Sequence, residues 1–183
     1  MADLAPLARL RQLRSLDLGY TGVKDLAPLA GLLALQSLDL SVCNGVTDLA
    51  PLSGLQELRR LTLSLTGVMD FDPLARLQQL QYLDLSHTWV TDLAPLVGLQ
   101  ALQTLILQYC AELRDLAPLP KLQALRCLDV YGCQLAIPAT ILRALADHPH
   151  LTSLVAAAAE GVPHEVFSDF LLRDNCLPRL RTY

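Results

Sequence analysis

Aromatic residues are scarce in this 183-residue chain: they make up 5% of it, although 52% is hydrophobic. A core so poor in rings must be filled by aliphatic side chains, and leucine supplies most of them. One residue type used that often points to a repeated environment rather than an irregular globule. Positive charge is also in short supply, with 14 Lys and Arg against 18 Asp and Glu and a net charge of -4. Neither a nucleic-acid backbone nor an anionic lipid surface is therefore an expected partner, since both call for a basic face. No run of about 18 apolar residues exists, because Asp, Arg, Gln or Ser interrupts every few positions. The opening Met1-Ala2-Asp3-Leu4-Ala5-Pro6 has no basic stretch followed by an apolar one, so no secretory signal is read there. The cysteines are Cys43, Cys110, Cys127, Cys133 and Cys176. An odd number spread through the chain suits free thiols in a reducing compartment, and a cytoplasmic location is expected.

Catalytic and metal-binding signatures are missing as well. No G-x-x-x-x-G-K-[ST] phosphate loop occurs, and His164-Glu165 lacks the second histidine of H-E-x-x-H. His148-Pro149-His150 has no cysteine or acid at a spacing that would complete a zinc set, and it reads as a solvated loop. No Ser-His-Asp or Cys-His relation is legible. The expectation is a non-enzymatic chain without cofactor or metal.

What the chain does have is a tandem repeat. Aspartates fall at Asp3, Asp25, Asp48, Asp70, Asp92 and Asp115, in steps of 22, 23, 22, 22 and 23 residues. Five of the units open with Asp-Leu-Ala-Pro-Leu; the other, Asp70-Phe71-Asp72-Pro73-Leu74, keeps the acid, the proline and the apolar positions. Each unit then carries L-x-x-L-x-L-x-x-[T/C]: Leu13 to Thr21, Leu35 to Cys43, Leu58 to Thr66, Leu80 to Thr88, Leu102 to Cys110 and Leu125 to Cys133. The x-L-x-L alternation predicts a short strand with one buried face. The apolar residues before it recur every three positions, as in Leu4, Leu7, Leu10 and Leu13, which suits a 3₁₀-like turn. No unit can bury its leucine row alone, so stacked neighbours must share one core, with their strands parallel.

On these residues the chain resembles the leucine-rich repeat proteins, specifically the short 22-residue class, over about residues 3 to 136. The resemblance implies an α/β repeat, a curved solenoid with a parallel concave sheet and convex turns and short helices. It departs from the family at the ninth segment position, where the family often has an asparagine whose side chain bonds the backbone of the neighbouring turn. Here Thr21, Cys43, Thr66, Thr88, Cys110 and Cys133 take that place, and both side chains can donate, the thiol weakly. That structural reading of the cysteines outweighs metal or redox work. The repeated aspartates are read in the same way, as caps on free backbone N–H groups.

Six repeats are assigned to residues 1–136, an atypical helical last repeat to 137–160, and a cap or junction to 161–183. The last repeat has a helical pattern over Ala139 to Asp147 and a seventh strand at Leu151 to Val155. At the other end no polar cap is visible, so Leu4, Leu7, Leu16 and Leu18 are expected to lie open on one side, beneath further repeats or a partner. The tail resembles the segment that joins repeats to the GTPase in bacterial Roco proteins. The matching residues are Pro163, Glu165, Val166, Asp174, Asn175, Cys176, Leu177, Leu180 and Arg181.

Binding is expected on the concave face, at the third, fifth, seventh and eighth segment positions. Aromatics gather in repeats four to six, and exposed aromatics are typical anchors. The candidate protein-binding residues are Arg60, Tyr82, Asp84, His87, Ile106, Tyr109, Asp129 and Tyr131. Trp89 is placed on the rim. The stacked Asp17 and Asp39 repel one another and would suit a basic partner, although a plain structural reading of L-D-L is the simpler one. The resulting expectation is a protein-interaction module, the regulatory arm of a bacterial Roco GTPase, whose partner is its own GTPase region or a second copy. The alternative is a secreted internalin-like effector or adhesin that binds a host protein.

Overall fold

The structure is a computed structural model describing residues 3–135, 143–145 and 147–155. The helical pattern over 139–142 and the tail at 161–183 lie outside the described residues. Seven three-residue strands form one parallel sheet in chain order: β1 Ser15–Asp17, β2 Ser37–Asp39, β3 Arg60–Thr62, β4 Tyr82–Asp84, β5 Thr104–Ile106, β6 Cys127–Asp129 and β7 Ser153–Val155. The middle residue of each strand is a leucine, and these leucines stand in register from Leu16 through Leu38, Leu61, Leu83, Leu105 and Leu128 to Leu154. Register is pinned because a slip of one residue would turn that row into solvent.

The threefold leucine spacing is explained by hydrogen bonding on the side opposite the sheet. In the second repeat Leu29, Leu32 and Leu35 each donate an N–H to the carbonyl three residues back, at 2.8–2.9 Å. A three-residue turn brings every third side chain to one side, and Leu26, Leu29, Leu32 and Leu35 are all buried. 3₁₀ turns are found at Ala5–Arg9, Ala27–Leu29, Ala50–Leu52, Asp72–Arg76, Ala94–Leu96 and Leu119–Lys121. In the first five, proline sits at the second turn residue, where a missing N–H costs nothing. Asp3, Asp25, Asp48, Asp70 and Asp92 each accept the N–H of the first turn residue at 2.8–2.9 Å, and Asp115 accepts that of Ala117. The sixth turn starts later, at Leu119, where Pro118 and Pro120 break up the donor pattern.

Two expectations need correcting. Leu7 and Leu16 are partly exposed as expected, but Leu4 and Leu18 are buried, because their own turn and the second repeat cover them. The His148-Pro149-His150 loop is solvated only in part: Pro149 and His150 are exposed, His148 is not. His148 is 6% exposed, and its Nε2 donates to the Leu122 carbonyl at 2.9 Å while Nδ1 accepts the N–H of His150 at 3.3 Å. Nε2 ties this loop to the sixth repeat, and Nδ1 closes the loop on its own backbone.

Candidate protein-binding face

The sheet face is built from the segment positions that the core leaves over. Positions one, four and six are leucine or valine and point inward; position nine also turns inward. Thr21, Thr66 and Thr88 donate their hydroxyls to the sixth-position carbonyl of their own repeat at 2.6–2.7 Å. Cys43, Cys110 and Cys133 reach across to the preceding repeat instead, donating to Leu18, Leu85 and Leu107 at 2.9–3.2 Å. The expected cross-repeat bond to a carbonyl is thus made by the cysteines, whose longer C–S bond spans the gap, while Thr21 and Thr88 meet the next repeat through the Cys43 and Cys110 thiols at 3.6 and 3.8 Å. The interaction of the Cys110 and Cys133 thiols lowers Cys110 to about 7 against the opposing effect of burial, and raises Cys133. Among the described residues no three His, Cys, Asp or Glu come together as a metal site, and no helix is long and apolar enough to cross a membrane.

Position eight holds a backbone device that the sequence did not announce. Tyr20, Val42, Leu65, His87 and Tyr109 all have φ between 54 and 61°, and Gly132 has φ 74°. This left-handed residue swings the chain off the sheet. In the first five repeats its N–H still donates to the seventh-position carbonyl of the next repeat, at 2.8–3.0 Å. The side chain is thereby thrown outward at the strand end, which explains why large residues here are exposed. Gly132 is required twice over: a Cβ on it would come within 2.5 Å of the Tyr109 ring.

The face is banded along the strand direction. At the strand start, the second position runs Arg14, Gln36, Arg59, Gln81, Gln103, Arg126. The backbone carbonyl of each accepts two N–H groups from the next repeat at 2.8–3.0 Å, which fixes the row. These residues and their third-position neighbours line a shallow groove of about 390 Å³ from Arg14 to Thr104. There the Arg60 guanidinium lies 4.2 Å from the centre of the Tyr82 ring. The Tyr82 phenol is raised from its ordinary value by burial and then by Asp84, with Arg60 acting in opposition.

In the middle band Asp17, Asp39, Asp84 and Asp129 each accept the N–H two residues on at 2.7–2.9 Å. The plain reading of L-D-L is therefore correct in part: one oxygen of each acid holds the turn. Asp129 also accepts from the Gln108 amide at 2.6 Å, and Ile106 interrupts the acidic row between Asp84 and Asp129.

At the strand end His87 and Tyr109 stack with ring centres 4.8 Å apart and 17° between planes, and Tyr109 meets Tyr131 edge-on at 5.5 Å. Desolvation, and then the neighbouring Tyr131 phenol, raise the Tyr109 phenol. Trp89 is exposed and makes no ring contact among the described residues. The eight candidates thus fall into three groups: Arg60 with Tyr82; Asp84, Ile106 and Asp129; and His87, Tyr109 and Tyr131. The groove residues Arg14, Arg59, Gln81 and Gln103 were absent from the candidate set; the signal that could have found them was the recurrence of Arg or Gln at position two.

A leucine-rich-repeats family model matches residues 11–54 and 78–121. No curated protein matches the sequence. Similar solved structures include an internalin C2 from Listeria monocytogenes (32% identity, TM-score 0.78, covering 85% of this chain and 66% of that one). Another is an internalin from the same species (25% identity, TM-score 0.71, 92% and 55%). A third is TLR13, solved as a complex with a single-stranded RNA (24% identity, TM-score 0.69, 84% and 23%), and here the likeness concerns the fold alone. The chain spans less than two thirds of the length of each.

Proposed function

We propose that this chain, a leucine-rich repeat protein with a curved solenoid fold, is an interaction module that receives a protein partner on its sheet face. The observation that carries the reading is the stack of His87, Tyr109 and Tyr131. Three rings are held in solvent by left-handed backbone or by packing on one another, while the opposite face is spent on proline turns and their caps. Pre-ordered exposed aromatics give up little entropy on binding and bury large area. The test compares partner capture by the native chain, by Tyr82→Ala/Tyr109→Ala/Tyr131→Ala, and by a turn-face variant, Ala27→Lys/Ala50→Lys/Ala94→Lys. Loss in the first variant alone supports the reading. Loss in the turn-face variant alone refutes it.

Two finer readings concern the protein that the module serves. Similarity to internalin C2 over most of the chain favours an internalin-like protein. The tail matches at Pro163, Glu165, Asp174, Asn175 and Cys176 favour the regulatory, cytoplasmic arm of a bacterial Roco GTPase, which its own GTPase region or a second copy would engage. The native protein, isolated with an antibody to this chain, separates them: GTP binding by a product much longer than 183 residues supports the Roco reading. Recovery from the extracellular fraction without nucleotide supports the other.

A further inference from the structure

We propose that the groove at the strand starts docks an acidic segment of the protein partner. The proposal rests on the sheet-face reading above and names the chemistry of what binds there. Arg14, Arg59 and Arg60, with Gln36, Gln81 and Gln103 between them, face a groove of about 390 Å³. Guanidinium groups offer only donors, and the Gln amides add donor NH₂ groups. Among the described residues the one ion pair is Arg114 with Glu112, neither of which lines the groove, so none of these arginines has a carboxylate within ion-pair distance. The nearest acids, Asp17, Asp39 and Asp84, have each committed an oxygen to their own turn. Arg60 is held in place over Tyr82, which lowers the cost of ordering it around a ligand.

Spacing selects an extended peptide. Adjacent parallel strands stand roughly 4.8 Å apart, so Arg14 and Arg59, two repeats apart, are separated by about 10 Å. Same-side residues of an extended chain recur at about 6.6–6.8 Å. Two or three carboxylates on a short acidic strand running across the sheet therefore fall within reach of Arg14, Arg59 and Arg60, each able to take a carboxylate through two parallel N–H bonds. The aspartate row alongside gives the site polarity. It repels carboxylates that stray toward the strand ends and confines them to the groove, leaving the rest of the partner to lie over Ile106 and the aromatic stack. A nucleic-acid strand, with a charge at every nucleotide, would run phosphates beside that aspartate row on a chain of net charge -4.

The test measures binding of fluorescently labelled hexaglutamate to the full chain by anisotropy, beside hexalysine and hexauridylate. Saturable hexaglutamate binding is expected. Arg59→Glu/Arg60→Glu should weaken it about tenfold or more, and Arg14→Glu should weaken it less. Tyr109→Ala/Tyr131→Ala, which leaves the groove intact, should change it less than about twofold. A variant is compared only after its thermal melt matches the native one; Arg59 and Arg60 are exposed, so the reversal does not enter the core. Hexaglutamate that fails to bind, binds equally to the charge-reversed variant, or binds no better than hexauridylate overturns the proposal. If it fails while partner capture still depends on Tyr82, Tyr109 and Tyr131, the sheet-face reading stands and only the acidic-segment proposal falls.

Discussion

Leu83 and Leu16 occupy the same repeat position, and the solenoid predicts unequal costs for the same truncation. Leu83 is fully buried between Leu61 and Leu105. Leu16 has an in-register neighbour on one side, Leu38, and is partly exposed. Leu→Ala removes three carbons; at ~0.8 kcal/mol for each buried methylene this is about 2.4 kcal/mol at Leu83. A cavity that its two neighbours cannot fill brings the total to about 3–4 kcal/mol, inside the range of roughly 2–5 kcal/mol for buried leucines. At Leu16 about half of the transfer is already lost to solvent and no closed cavity forms, so about 1 kcal/mol is expected. Urea unfolding followed by circular dichroism gives both values. Because the array is coupled only between neighbours, Leu83→Ala should also lower the urea dependence as the two halves begin to unfold separately, whereas Leu16→Ala should leave it unchanged. Equal costs for the two variants would refute the one-dimensional packing argument.

The left-handed position offers a gain. Val42, β-branched at φ 61°, carries about 1–2 kcal/mol of strain, so Val42→Gly should stabilise by about 0.5–1 kcal/mol after the unfolded-state entropy of glycine is subtracted. A lower urea midpoint would contradict this. Gly132→Ala should destabilise by about 1–3 kcal/mol through its positive φ and its clash with Tyr109. In a Tyr109→Ala background the clash part disappears, so a double-mutant cycle showing no coupling would sink the packing half of the claim. Tyr82 should ionise above its ordinary value of 10.0, chiefly through burial. Since the fold favours the neutral phenol, its contribution is complete below the unfolded value and is lost as pH rises through the raised one. Phenolate absorbance should show Asp84→Asn moving this titration down and Arg60→Ala moving it up.

Much of this architecture was legible because it is periodic. Apart from Leu10, which is 48% exposed, the leucines of the turn run and the strand centre fall in the positions that their spacing implied, since burial leaves them no choice of residue type. The turn aspartates were legible for a local reason: an acid two residues before an unpaired N–H can do little else. Less could be read where contacts cross repeats. Nothing in His148-Pro149-His150 tells that a carbonyl at Leu122 waits 26 residues earlier. Nor does Thr against Cys at position nine reveal which carbonyl each will choose. The left-handed eighth position was hidden by most of its occupants, since Val, Leu, His and Tyr give no hint of the conformation that only Gly132 announces. The aromatic cluster was visible as composition, but its stacking depends on that conformation.

The aspartate row shows how scaffold and surface share one residue. One carboxylate oxygen at position five secures the N–H at position seven, so an acid there is explained without any partner. By that argument the informative repeats are those that give the acid up. Thr62 makes no such turn bond but still carries a short polar group, whereas Ile106 carries none. The fifth repeat loses its turn bond, and its Gln108 side chain reaches instead to the carboxylate of Asp129 in the next repeat. An apolar side chain at a position the scaffold prefers acidic, half-buried between two aspartates and one turn away from the Tyr109 stack, serves no need of the fold. Ile106 therefore belongs with the rings rather than with the acids, as the apolar centre of the proposed binding surface, flanked by guanidinium groups at one edge and aromatics at the other.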